Sequence, residues 1–119
     1  MAFDWARLTE ITYIANSAGA IYTNPAGKKT YIRLIIIHNN NTTVEQVKLY
    51  NVPDSGGSVG SAGDANIFLN MTVQPAETLV LGSDMLPVPG IILENENDTI
   101  QGVTTTASKV TVQIFGGQE

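Results

Sequence analysis

The stretch Ile67-Phe68-Leu69-Asn70-Met71-Thr72-Val73-Gln74 decides the fold class, because Ile67, Leu69, Met71 and Val73 alternate with Phe68, Asn70, Thr72 and Gln74. Successive side chains of an extended chain point to opposite faces, so this period of two predicts a half-buried β-strand. Val110, Val112 and Ile114 repeat the pattern against Thr111, Gln113 and Phe115. The run from Tyr31 to His38 is more continuously apolar. It sets Ile32, Leu34 and Ile36 on one face and Tyr31, Arg33, Ile35 and Ile37 on the other. That composition predicts a central strand covered on both sides, or one whose outer face meets another subunit. No long window carries a helical repeat.

Working outward, turn signals separate further short apolar segments. They lie at Asn16 to Gly19, Asn24-Pro25-Ala26-Gly27, His38 to Thr43, Gln74-Pro75-Ala76, Pro87 to Gly90 and Glu94 to Asp98. Strands are predicted near residues 8–14, 20–23, 30–38, 43–51, 65–73, 77–82, 90–93, 98–103 and 108–115. Eight or nine short strands in 119 residues predict an all-β chain folded as a single antiparallel β-sandwich, jelly-roll-like in topology. The sandwich is expected over residues 10–119, behind an N-terminal arm over residues 1–9. The glycine-rich stretch Asp54 to Asp64 is expected to be a mobile loop or hairpin tip, or a loop that orders against a neighbouring subunit.

Composition narrows the function. Charged residues make up only 14% of the chain, and the net charge is −5. An acidic chain lacks the dense basic footprint that nucleic-acid binding needs. The one basic cluster, Lys28, Lys29 and Arg33, reads as strand-edge charge that discourages edge pairing. Absence of cysteine excludes disulfides, thiolate zinc sites and cysteine nucleophiles. Asp4, Arg7 and Glu10 interrupt the N-terminal apolar residues, so no secretory signal is expected there. The longest apolar run, Leu34 to Ile37, is too short to cross a bilayer.

The search for chemistry returns little. His38 is the sole histidine, expected as a strand-end side chain bonded to backbone and not as a catalytic base. Glu94, Glu96 and Asp98 resemble alternate calcium ligands but lack the central glycine and terminal glutamate of that loop, so a solvated acidic turn is expected. Gly27-Lys28 is followed by Lys29 and not by Ser or Thr, which excludes a P-loop. The reading is a non-enzyme without catalytic residues, metal ligands or a cofactor. Interaction residues are more visible. Phe3, Trp5 and Leu8 form a candidate interface arm, docked on the domain's own core or on a neighbour. Tyr31, Arg33, Ile35 and Ile37 form a candidate interface strand.

The order Asn24-Pro25-Ala26-Gly27-Lys28, then Tyr31 to Asn40, then Val47-Lys48-Leu49-Tyr50, resembles small virion structural proteins of tailed bacteriophages. Pro75-Ala76-Glu77-Thr78-Leu79 and Asn97 to Gly102 fit the same layout. The resemblance covers roughly residues 20–115 and implies a β-sandwich in the phage particle. The function it implies is capsid decoration, a cement protein that stabilises the head by bridging capsid subunits. It further implies a homo-oligomer, with a trimer as the first expectation, whose partner is the major capsid protein or another virion subunit. Neither nucleic acid nor membrane is an expected partner, and the location is the virion, assembled in the host cytoplasm. A tail, neck or fibre component is the alternative within the same class. A glycan-binding β-sandwich for host recognition, using Trp5, Tyr13, Tyr22, Tyr31 or Tyr50 as a stacking platform, is the alternative outside it.

Overall fold

The computed structural model describes residues 4–82, 84–87 and 90–119. Among the described residues ten strands follow one another: β1 (Asp4–Arg7), β2 (Thr12–Tyr13), β3 (Gly19–Thr23), β4 (Thr30–Asn39), β5 (Glu45–Val52), β6 (Ile67–Val73), β7 (Thr78–Leu81), β8 (Ile91–Leu93), β9 (Thr99–Thr104) and β10 (Val110–Gln118). They make two antiparallel sheets. The larger runs β1-β10-β4-β7, with β2 also on β10 and β8 also on β4, and the smaller runs β3-β9-β5-β6. The rows β2-β10-β4-β7 and β3-β9-β5-β6 have the order of a jelly roll, with β1 and β8 extending the outer columns of the first sheet. Among the described residues only β5 and β6 are paired and consecutive, so nearly every ladder closes a long loop.

The alternating residues do what their pattern predicts. Ile32, Ile35, Ile37, Val47, Val112 and Ile114 are fully buried between the sheets. Each such side chain contributes roughly 1.5–3 kcal/mol by leaving water. The expected strand over 8–14 is reduced to Thr12–Tyr13, and a strand forms ahead of it at Asp4–Arg7. Between the two, the chain still follows β10: the Leu8 amide donates to Ile114 O (2.7 Å), and the Ile114 amide donates to Thr9 Oγ1 (3.2 Å). A side chain replaces a backbone acceptor there, and the ladder breaks.

One irregularity resets the central strand. Phe115 pairs with Leu34 and Gly116 with Ile32, leaving Arg33 as an unopposed bulge residue in β4. The extra residue changes which side chains point inward: Thr30 and Ile32 before it, Ile35, Ile37 and Asn39 after it. The expected face of Tyr31, Arg33, Ile35 and Ile37 is therefore corrected. Ile35 and Ile37 belong to the core, and Leu34, Ile36 and His38 are the residues turned outward. Gly116 makes the bulge possible, since a Cβ at this position would collide with Tyr31 O.

The glycine-rich stretch forms a hairpin tip, one of its two expected forms. It turns sharply at Gly56 and Gly57, both with positive φ, between the paired Ser55 and Ser58. It then lies back on the smaller sheet, where Gln101 Nε2 donates to Gly60 O (2.9 Å) and Asn97 Nδ2 to Gly57 O (3.0 Å). Gly60 has backbone for a neighbour, as a Cβ there would meet Pro53 O at 2.8 Å. Gln101 and its cross-strand partner Tyr50 are buried.

Candidate interaction face

Polar side chains that could carry chemistry are spent on holding turns. Asp98, expected in a solvated turn, is buried, and its carboxylate accepts three backbone N–H groups: Asp54 at Oδ1 (2.7 Å), and Glu94 (3.1 Å) and Asn95 (3.0 Å) at Oδ2. Asn24 Nδ2 donates to Lys28 O (2.8 Å) and Asn95 O (3.0 Å), while its Oδ1 accepts from Thr30 Oγ1 (2.6 Å). Asn39 serves the opposite end of the sandwich, with Nδ2 donating to Thr43 O (3.1 Å) and Val73 O (3.0 Å). Beside it the buried Glu45 accepts from Asn41 Nδ2 (2.8 Å) and from the Thr106 amide (2.9 Å). Burial alone would raise the Glu45 carboxyl, but these hydrogen bonds and the charge of Lys109 outweigh it and hold the group below its ordinary value.

His38 sits on the outward side of β4 and shares a hydrogen bond with Thr78 Oγ1 through Nδ1 (2.7 Å), a cross-strand side-chain partner where a backbone one was expected. Among the described residues no three His, Cys, Asp or Glu side chains gather as a metal site. The tyrosines are dispersed. Tyr50 is buried, and Tyr22 bonds Thr30 Oγ1 (3.2 Å). Tyr31 donates to Glu119 Oε1 (2.8 Å), a bond to a carboxylate that raises its phenol above the ordinary value. Tyr13 alone is widely exposed.

What the fold leaves open is the outer face of the larger sheet. The register stacks its outward side chains in rows: Tyr13 beside Thr111, His38 and Thr78; Gln113, Ile36 and Val80; Phe115 and Leu34; Tyr31 and Ile92. Val80 is 56% exposed, Tyr13 55% and Ile92 39%, while Leu34, Ile36 and Phe115 are half-buried by one another. Next to the bulge an apolar hollow of about 380 Å³ is lined by Ala6, Arg33, Leu34, Phe115 and Gly116. This face is apolar at its centre, at Ile36, Val80, Leu34 and Phe115, and polar along the row of Thr111, His38 and Thr78 and at Gln113. The outer face of the smaller sheet is unlike it, polar at Gln46, Lys48, Asn70 and Thr72 and covered elsewhere by the folded-back loop.

The predicted interface residues divide. Phe3 lies outside the described residues. Trp5 is in β1 opposite Gly117, and Leu8 packs on the core, so this part of the arm is an edge of its own domain's sheet. Tyr31 lies on the outer face and Arg33 beside its hollow. Leu34, Ile36, Val80 and Phe115 complete the face but were missing from the expected set. The alternation in β4 assigns Leu34 and Ile36 to the wrong side once an unseen bulge intervenes. No protein-family model, curated protein or solved structure matches the chain.

Proposed function

We propose that this chain is a non-enzymatic structural subunit of a tailed-phage particle, a capsid decoration protein that docks through the outer face of its larger sheet. The observation that carries this reading is the asymmetry of the sandwich. One broad face carries a contiguous apolar patch of Leu34, Ile36, Val80 and Phe115 beside a polar row, while the other is polar and covered by its own loop. Contiguous exposed apolar surface of this kind marks a protein contact, and an open sheet face suits the wall of another subunit better than a small ligand. Jelly rolls serve in viral shells, which agrees with the sequence resemblance to phage virion proteins. They also serve in lectins, but a glycan platform needs several exposed aromatic rings, and among the residues whose side chains are described only Tyr13 is widely exposed.

The test pairs Ile36→Lys with Val80→Lys, cross-strand neighbours at the centre of the face. Both side chains point away from the core, so the double variant should melt within a few degrees of the parent. Its recovery with purified particles of the encoding phage, followed by mass spectrometry of the particle proteins, should fall at least tenfold. Particles that never contain the parent chain, or that hold the variant equally well, refute the reading.

A further inference from the structure

A second surface is open on the opposite sheet, at its edge and not on its face. Edge strands present unpaired backbone N–H and C=O groups and are normally blunted by charge, proline, bulges or interruption. Three of the four outer columns here are blunted in that way. The β1/β2 column is interrupted over residues 8–11 and carries the Arg7–Glu10 ion pair (3.0 Å). The β7/β8 column is interrupted between Leu81 and Ile91. β3 is bulged at Ile21, in its middle.

β6 is the exception. Phe68 is a bulge residue near its start, but Leu69-Asn70-Met71-Thr72-Val73 pairs regularly with β5 and contains neither charge nor proline. Alternation fixes which groups are open. The Gln46 amide donates to Thr105 Oγ1 on the β9 side, so Gln46 and its partner Thr72 form a non-hydrogen-bonded pair of the β5–β6 ladder. The backbone groups of Thr72, and by the same alternation of Asn70, therefore point away from the sheet. Among the described residues no hydrogen bond from outside the ladder reaches the backbone between Phe68 and Thr72.

We infer that β6 pairs with β6 of a second copy of this chain, antiparallel about Met71, to join the two smaller sheets into one of eight strands. The segment is complementary to itself. A two-fold axis through Met71 sets Asn70 opposite the partner's Thr72, the open backbone groups of each facing those of the other. Leu69 falls opposite the partner's Val73 on the core side of the sheet, so apolar meets apolar and polar meets polar. A two-fold contact brings the groups nearest its axis up against their own copies, so a like charge there would repel itself. Leu69 to Val73 is a stretch where this repulsion is absent. A strand of another protein would have the same backbone to pair with, but nothing on this edge selects a charge or a pocket-filling side chain. The contact uses a different surface from the proposed docking face and can coexist with it.

The test is the mass of the full chain in solution by light scattering across a hundredfold range of concentration, for the parent and Thr72→Pro. Proline removes an N–H that points outward, so the β5–β6 ladder is retained and the melting temperature should hold. The parent should reach twice the chain mass, with at least a tenfold weaker dimer in the variant. Met71→Cys introduces the only cysteine, opposite its own copy, and should cross-link under mild oxidation, whereas Thr106→Cys, in the β9–β10 loop, should not. A parent that stays monomeric overturns the inference. So does a dimer that survives Thr72→Pro and fails to cross-link at position 71. If such a dimer is instead broken by Ile36→Lys and Val80→Lys, the contact belongs to the sheet face and only the edge pairing fails.

Discussion

Gly116 shows how much a single residue determines here. A methyl group at that position would collide with Tyr31 O, and a backbone oxygen cannot swing aside. Gly116→Ala should therefore lower stability by about 1–3 kcal/mol, read as a chemical-denaturation midpoint. Gly63→Ala, where the nearest atom is 4.0 Å away, serves as the tolerated control. Glu45 makes a prediction about pH. Its folded carboxyl titrates below its ordinary value, so its contribution to stability is complete above that ordinary value and is lost as the pH falls through the lower, folded one. In Glu45→Gln one of the two donors, Asn41 Nδ2 or the Thr106 amide, would face an NH₂ group. The variant should lose about 1–3 kcal/mol at neutral pH. Denaturation midpoints measured across the acid range should then show a shallower decline than the parent's. An unchanged acid profile would mean that Glu45 is not a source of the parent's acid sensitivity.

Among the elements, β1 is the one whose role changes most between sequence and structure. Four residues containing Asp4 and Arg7 are too short and too polar to show a period of two, so they read as an arm. Their strand character comes from β10, which offers an open edge from Phe115 to Gln118. Deleting residues 1–9 removes β1 and the core contact of Leu8, and should lower the melting temperature by several degrees. A melting temperature equal to the parent's would show that β1 adds nothing to the domain. The longer strands were legible because burial on one face imposes alternation, and their observed limits fall close to those expected. The bulge at Arg33 was not legible, since an extra residue in one strand exists only relative to its partner. The tandem glycines Gly116-Gly117 are its one local trace. The Asp54–Asp64 loop was legible only in part, as a hairpin tip, for a similar reason. Its glycines advertise freedom, while the groups that restrain it, Asn97 and Gln101, lie some forty residues further along the chain.

At the scale of the whole molecule, the jelly-roll order makes nearly every ladder join distant segments, so folding should be slow for a chain of this size. Loop closure precedes most of the reward from pairing. Stopped-flow refolding should give a main phase in the millisecond-to-second range, and microsecond folding would contradict the topology. The placement of β1 has a mechanical consequence as well. Asp4 lies opposite Gln118, so both ends of the sandwich domain leave from the same corner. A load applied between those ends opens the β1–β10 ladder like a zipper, one rung at a time, and does not shear all its rungs together. Traction through the ends is thus absorbed by a short sacrificial strip. The central strand β4, which carries the broad face together with β10, is joined to neither end and takes up load only through β10.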